Sequence, residues 1–147
     1  MRIIKKREIE PMETTITISY NEWDEELEDL QSYIEGNYQT ISGYNQRKSL
    51  CVIPLKDILY FEAVGELVFA YTKNNVYEIK MRLYKIEEKV NKYKIIRASK
   101  SILINIPKIE QLKSALNGRM LATMVNGEQI MISRAYAREL VARIKMV

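Results

Sequence analysis

Between Leu50 and Ile132 the chain is a succession of short β-branched and apolar runs, each closed by a turn signal, and this succession limits the folds open to it more than anything else in the sequence. Leu50 to Ile53 is stopped by Pro54, which cannot donate to a ladder. Ile58 to Ala63 and Leu67 to Thr72 flank Gly65-Glu66, a hairpin turn, and Lys73-Asn74-Asn75 is a second turn leading into Val76 to Ile79. Met81 to Val90 then switches to helical spacing, with Leu83, Ile86 and Val90 inward and Arg82, Lys85, Glu87, Glu88 and Lys89 outward. Strands are expected again at Ile95 to Ala98, Ser101 to Ile104, Ile109 to Ala115, Arg119 to Val125 and Glu128 to Ile132. Asn117-Gly118 and Asn126-Gly127 are hairpin signals, because both residue types tolerate positive φ. Ser133 is placed to cap a last helix, Arg134 to Ile144, which turns Tyr136, Leu140, Val141 and Ile144 to one face. The expected class is α+β, mostly antiparallel β.

The first 44 residues read as a separate β-β-α segment ahead of a domain at 45–147. Arg2 to Glu10 suits an edge strand ended by Pro11, and Thr14 to Tyr20 alternates Ile16, Ile18 and Tyr20 against Thr and Ser. Asn21 is the expected cap of a helix that carries its acidic residues in the first turns, where the macrodipole favours them, and stops at Gly36. Its stripe of Trp23, Leu27, Leu30 and Ile34 has two possible partners, its own domain or a second copy of the chain. The segment is thus a candidate dimerisation or regulatory element.

Composition removes several function classes. With 47% hydrophobic residues a sizeable core is within reach. No apolar run approaches the roughly 18 to 20 residues of a membrane helix and the amino terminus lacks a signal-peptide core, so the expected location is the cytoplasm. Zero histidines and the single Cys51 leave no histidine catalysis, no internal disulfide and almost nothing to hold a soft metal. Cys51, between Leu50 and Val52, reads as a strand residue rather than a nucleophile. No Walker A loop, Gly-x-Gly-x-x-Gly or Gly-x-Ser-x-Gly is present. An enzyme is not expected, nor are a cofactor, a metal or a small-molecule substrate.

Charge is distributed unevenly. Residues 1–48 carry 6 Lys/Arg against 10 Asp/Glu, a balance of −4, whereas residues 49–147 carry 17 against 9, a balance of +8. From Lys80 to Arg119 eleven basic residues face three acidic ones, the footprint expected where phosphates are neutralised, or else a solvated basic face.

The basic stretch contains Ile95-Ile96-Arg97-Ala98-Ser99-Lys100-Ser101-Ile102-Leu103-Ile104-Asn105, a buried strand pattern that would deliver Arg97, Lys100 and Asn105 to a surface. With Asp57-Ile58-Leu59-Tyr60-Phe61-Glu62 before it and Asn126-Gly127 and Ser133-Arg134 after it, in this order, the chain resembles the LytTR family of bacterial DNA-binding domains over about residues 48 to 147. The family often carries a His between the positions of Arg97 and Ser101; here Ser99 or Lys100 stands in.

The resemblance implies an elongated β domain with two short helices that reads duplex DNA through loops, as a transcriptional regulator. It marks three regions: the turn at Gly65, Glu66 and Leu67; Asn105; and Ser133-Arg134. Arg134 is the first choice for a base contact, since the guanidinium fork matches guanine O6 and N7, and it is an otherwise unfavourable cation at a helix start. Asn105 is the second, able to pair with adenine, or else to fix the turn before Pro107. Glu66 would accept from a cytosine amine or lie off the DNA, while Arg97, Lys100 and Lys80 suit phosphates, or else are solvated charges, with Ser99 in the same segment. Paired short repeats, and hence a homodimer or cooperative pair, are implied too. So is, for members without a receiver domain, a membrane-protein partner that holds them inactive. The rival reading is a protein-interaction module with an incidental basic face, in which changes at Trp23 and Leu27, not at Arg134 and Asn105, abolish function.

Overall fold

The computed structural model describes residue 4, residues 15–90 and residues 94–145. Among these residues three α-helices, α1 (Glu25–Tyr38), α2 (Leu83–Val90) and α3 (Arg134–Lys145), accompany ten strands. The strands are β1 (Thr40–Tyr44), β2 (Leu50–Pro54), β3 (Ile58–Val64), β4 (Leu67–Thr72), β5 (Val76–Ile79), β6 (Ile95–Ser99), β7 (Ile102–Asn105), β8 (Ile109–Ser114), β9 (Met120–Met124) and β10 (Gln129–Ile132). Seven form one sheet in the order β2-β1-β5-β4-β3-β7-β6, and three form a second, β10-β9-β8. Every pairing is antiparallel, as the short runs and tight turns require.

The period of two along the strands divides the large sheet into two faces, each with its own core. On one side Phe61, Val68, Ala70, Ile79, Ile95 and Leu103 pack with Leu83, Ile86 and Val90 of α2. On the other Leu59, Tyr60, Ile96, Ala98 and Ile104 meet Ala122, Met124, Ile130 and Ile132 of the small sheet and Ala137 and Leu140 of α3. The large sheet is therefore the middle layer, and its β6 edge is covered by α3 and β10, with Ser133 N–H donating to Ala98 O at 2.9 Å.

Several expectations are corrected. Residues 15–20 form no strand despite their alternation, because no strand among the described residues offers them a ladder; apart from Ile4, the strand expected at Arg2 to Glu10 falls outside the described residues. Asp24, not Asn21, caps α1, its Oδ1 accepting from Leu27 N–H at 2.9 Å, and the helix runs past Gly36 to Tyr38. Trp23 thus precedes the helix, its indole N–H donating to Glu28 at 2.6 Å and its ring edge-on to Tyr20. Pro54 stops the strand as expected but is itself the last residue of β2, paired with Thr40, and β2 is an edge strand, where a missing N–H is tolerated. β1, which lies ahead of the boundary expected at 44/45, is a member of the large sheet between β2 and β5.

The Asn126-Gly127 turn is also larger than two residues. Met124 N–H donates to Glu128 O at 2.8 Å, enclosing Val125, Asn126 and Gly127, and only Gly127 takes a positive φ, +87°. Asn126 instead uses its side-chain oxygen to accept from Glu128 N–H at 3.1 Å. This is the three-residue hairpin form, which asks for Gly at its last position.

Candidate nucleic-acid interface

Register brings three of the expected segments to one end of the large sheet. β3 and β4 close the two-residue turn Gly65-Glu66 with Val64 opposite Leu67. β6 and β7 close the turn Lys100-Ser101 with Ser99 opposite Ile102. Glu62 pairs with Ile102, and Ala63 N–H donates to Ser101 O at 2.8 Å, so the two turns project from the same end. Beside β6, the bond from Ser133 to Ala98 O starts α3 at that end as well. Ser99, Lys100 and Ser101 line a shallow cleft together with Ser133, Arg134 and Tyr136. Neighbouring strands lie about 4.8 Å apart, so the three segments form a row on the order of 20 Å long, about half a helical turn of duplex DNA.

Within that row Gly65, Glu66, Lys100 and Arg134 are exposed. Ser99 and Ser133 shape the backbone. Ser99 Oγ accepts from Ser101 N–H at 3.3 Å, and Ser133 O accepts from Tyr136 N–H and Ala137 N–H to open α3. The first turn of α3 carries no acidic residue, so its positive end and the Arg134 charge add where an anion would sit.

Two of the expected contact residues have partners within the fold. Asn105 is 4% exposed and lies at the opposite end of the sheet, paired with Ile95. Its Nδ2 donates to Ile58 O at 2.7 Å, so the amide joins the start of β3 to the end of β7 and reaches no surface. Arg97 is not a free cation. Its Nε donates to Glu87 Oε2 on α2 at 2.6 Å, its Nη2 pairs with the same oxygen, and its Nη1 donates to Lys100 O at 2.9 Å. Lys80 follows β5, the neighbour of β4, and Ile79 lies opposite Val68, so Lys80 stands beside the Gly65-Glu66 turn at the same end of the sheet, about 14 Å from β7. It is paired with Glu78 at 2.9 Å.

One neighbour of the cluster is not apparent from sequence. The β8–β9 connection carries positive φ at Asn117 and Gly118, and the aliphatic part of Arg134 rests on Gly118; a β-carbon there would stand 3.0 Å from Arg134 Cγ and Cδ. The Asn-Gly pair signals a turn, but nothing in its own composition points sixteen residues ahead to Arg134.

The second sheet is tied to the first by a polar contact behind the row. The Tyr60 hydroxyl faces the Glu128 carboxylate, and the Tyr60 ring stacks on Tyr71 with centroids 4.4 Å apart. Burial, then the Glu128 carboxylate, push the Tyr60 phenol well above its ordinary range, and burial followed by Glu62 and Glu128 raises Tyr71. Both remain neutral hydroxyls at physiological pH.

Residues 48–145 match the family model of the LytTr DNA-binding domain. An uncharacterised HTH-type transcriptional regulator of Staphylococcus aureus strain bovine RF122 / ET3-1 is 29% identical over 107 residues, 73% of this chain and 71% of its own length. Its counterpart in strain MRSA252 is 28% identical over the same shares. A solved LytTr DNA-binding domain from Bacillus cereus superposes with a TM-score of 0.65 at 22% identity, covering 69% of this chain and 95% of that one, which is a likeness of fold. The helix-turn-helix label of the two regulators finds no counterpart here among the described residues, since α2 and α3 are separated by β6 to β10.

Proposed function

Because the chain belongs to the LytTR family of DNA-binding domains, we propose that it is a sequence-specific transcriptional regulator that reads duplex DNA with the row of turns at one end of its large sheet. Arg134 makes the base contact, through the guanidinium fork that suits guanine. Lys100, at the tip of the β6–β7 turn, neutralises a phosphate beside it, and the Gly65-Glu66 turn meets the next stretch of the duplex. The observation that carries this reading is that the exposed Lys100 and Arg134 line one cleft, at the basic start of a helix. Glu66 sits at the far end of the row, where a carboxylate accepts from a cytosine amine or stays clear of the backbone.

The reading extends to paired short repeats bound by a homodimer or a cooperative pair, with residues 1–44 as the dimerisation or regulatory segment and the cytoplasm as the place of action. Among the described residues no helix is long and apolar enough to cross a membrane. The chemistry is binding, with no reaction to catalyse.

Selection from a random duplex pool at several salt concentrations, with wild type and Arg134→Ala in parallel, tests it. An enriched repeat motif is expected, with log K falling by roughly 0.9 per neutralised phosphate as log salt rises. The Arg134→Ala variant should lose about 1–3 kcal/mol of discrimination at one base pair. Weak binding with no motif and no difference between the two proteins would overturn the proposal.

A further inference from the structure

The guanidinium of Arg97 sits between two structural elements and spends its donors on both. Nε and Nη2 hold Glu87 on α2, and Nη1 holds the carbonyl of Lys100 at the tip of the β6–β7 turn. The side chain is 16% exposed and its partner Glu87 37%, so the pair is partly shielded from water and from salt. The strand beneath is irregular, with a register shift between Arg97 and Ser99, and a two-residue turn leaves few bonds of its own to fix Lys100. Ser101 O is held to β3 by Ala63 N–H at 2.8 Å, but the turn's own side-chain bonds are long. Ser101 N–H meets Ser99 Oγ at 3.3 Å, and the two serine hydroxyls are 3.5 Å apart.

Resting on the DNA-contacting role of that turn, we infer that the Glu87–Arg97 pair is its positioning device, which clamps the Lys100 backbone to α2 and holds the side chain in register with Arg134. Arg97 acts through Lys100 and does not touch the phosphates. Glu87, an acidic residue on a DNA-binding protein, then strengthens specific binding, because an ordered turn has less freedom to lose when the duplex arrives. The geometry suits Arg and not Lys, since one ammonium on a flexible stem does not reproduce a planar fork directed at a carboxylate and a carbonyl at once.

The sign of the Glu87 effect separates this from plain electrostatics. Affinities of wild type, Glu87→Gln, Arg97→Gln, Arg97→Lys, the Glu87→Gln/Arg97→Gln double variant, Lys100→Ala and Arg134→Ala would be measured across a salt series. The probes are a duplex carrying the enriched motif and a scrambled duplex. Removing the negative charge at Glu87 should weaken motif binding about tenfold, leave the salt slope unchanged, and leave binding to the scrambled duplex equal or slightly tighter. Arg97→Gln should do the same without shortening the salt slope, Arg97→Lys should not restore it, and the double variant should be no worse than either single change. Hydrogen exchange should rise at residues 99–102 in Glu87→Gln and stay unchanged in β9 and β10.

Tighter or unchanged motif binding by Glu87→Gln overturns the inference. So does a salt slope in Arg97→Gln reduced by roughly 0.9, the mark of a lost phosphate contact. A rise in exchange throughout both sheets also overturns it, since the pair would then hold the fold rather than the turn. If Lys100→Ala and Arg134→Ala also leave motif binding untouched, the DNA-contacting role of the turn fails and the clamp's purpose with it. If those two weaken binding and Glu87→Gln does not, only the clamp fails.

Discussion

A β-carbon on Gly118 would stand 3.0 Å from both Cγ and Cδ of Arg134. The missing side chain of a residue in the β8–β9 connection is thus what leaves room for the stem of the arginine at the start of α3. Gly118 also has φ of +74°, so its backbone and its neighbour make the same demand.

Gly118→Ala should therefore cost stability and reading together. The positive φ is worth about 1 kcal/mol against Ala, and displacing the Arg134 stem by a few tenths of an ångström should lower the motif-to-scrambled affinity ratio several-fold. Gly118→Asn separates the two effects, because Asn tolerates the backbone conformation but brings the same β-carbon. Thermal melting should recover in the Asn variant while the affinity ratio stays low. A ratio equal to wild type in both variants would show that Arg134 does not depend on this contact.

Asn105 should behave in the opposite way to Arg134. Its amide satisfies Ile58 O in a buried place, so Asn105→Ala leaves that carbonyl without a partner and should destabilise the domain by about 1–3 kcal/mol. Denaturant unfolding measures this directly. Binding by the folded fraction should keep its sequence preference, whereas a lost preference at one base pair would return Asn105 to the interface.

The contrast between these two residues shows which parts of the molecule can be read from the chain. Alternation from Ile58 to Ile132 assigns strands and buried faces, because a period of two is a local property and the core tests it at every step. It does not say which end of a strand points at a ligand. Lys100 and Asn105 sit at the two ends of one strand, and only the pairing of Glu62 with Ile102 and of Ile95 with Asn105 assigns them to opposite ends of the sheet. Arg97 was opaque in sequence for the same reason. Its charge is visible in sequence, but its partner Glu87 is brought to it by the packing of α2 on the sheet. Tyr38 to Tyr44 reads in sequence as either a linker or a short strand, because Thr-Ile-Ser-Gly-Tyr has little strand character alone, and it becomes strand β1 between β2 and β5. The converse case is residues 15–20, which alternate but pair with no strand among the described residues.

Tyr60 gives the domain an alkaline limit that the charge count alone does not show. Burial first, then the Glu128 carboxylate, raise its phenol above the ordinary value near 10, and Tyr71 is raised beside it by burial, Glu62 and Glu128. A folded-state pKa above the unfolded one means that folding favours the protonated form. The stabilisation is complete below about pH 10 and is lost as pH climbs above it, because the unfolded tyrosine ionises there and the folded one does not. These two groups should leave stability level between about pH 6 and pH 9 and lower it beyond about pH 10. Tyr60→Phe removes both the Glu128 contact and the ionisation. It should cost about 0.5–1.5 kcal/mol at neutral pH, and its stability should then fall less steeply than that of wild type above about pH 10. Lysine titration is common to both proteins and cancels in the comparison of denaturant midpoints. Parallel curves through the alkaline range would mean that the Tyr60–Glu128 contact between the two sheets does not hold the phenol in its protonated form.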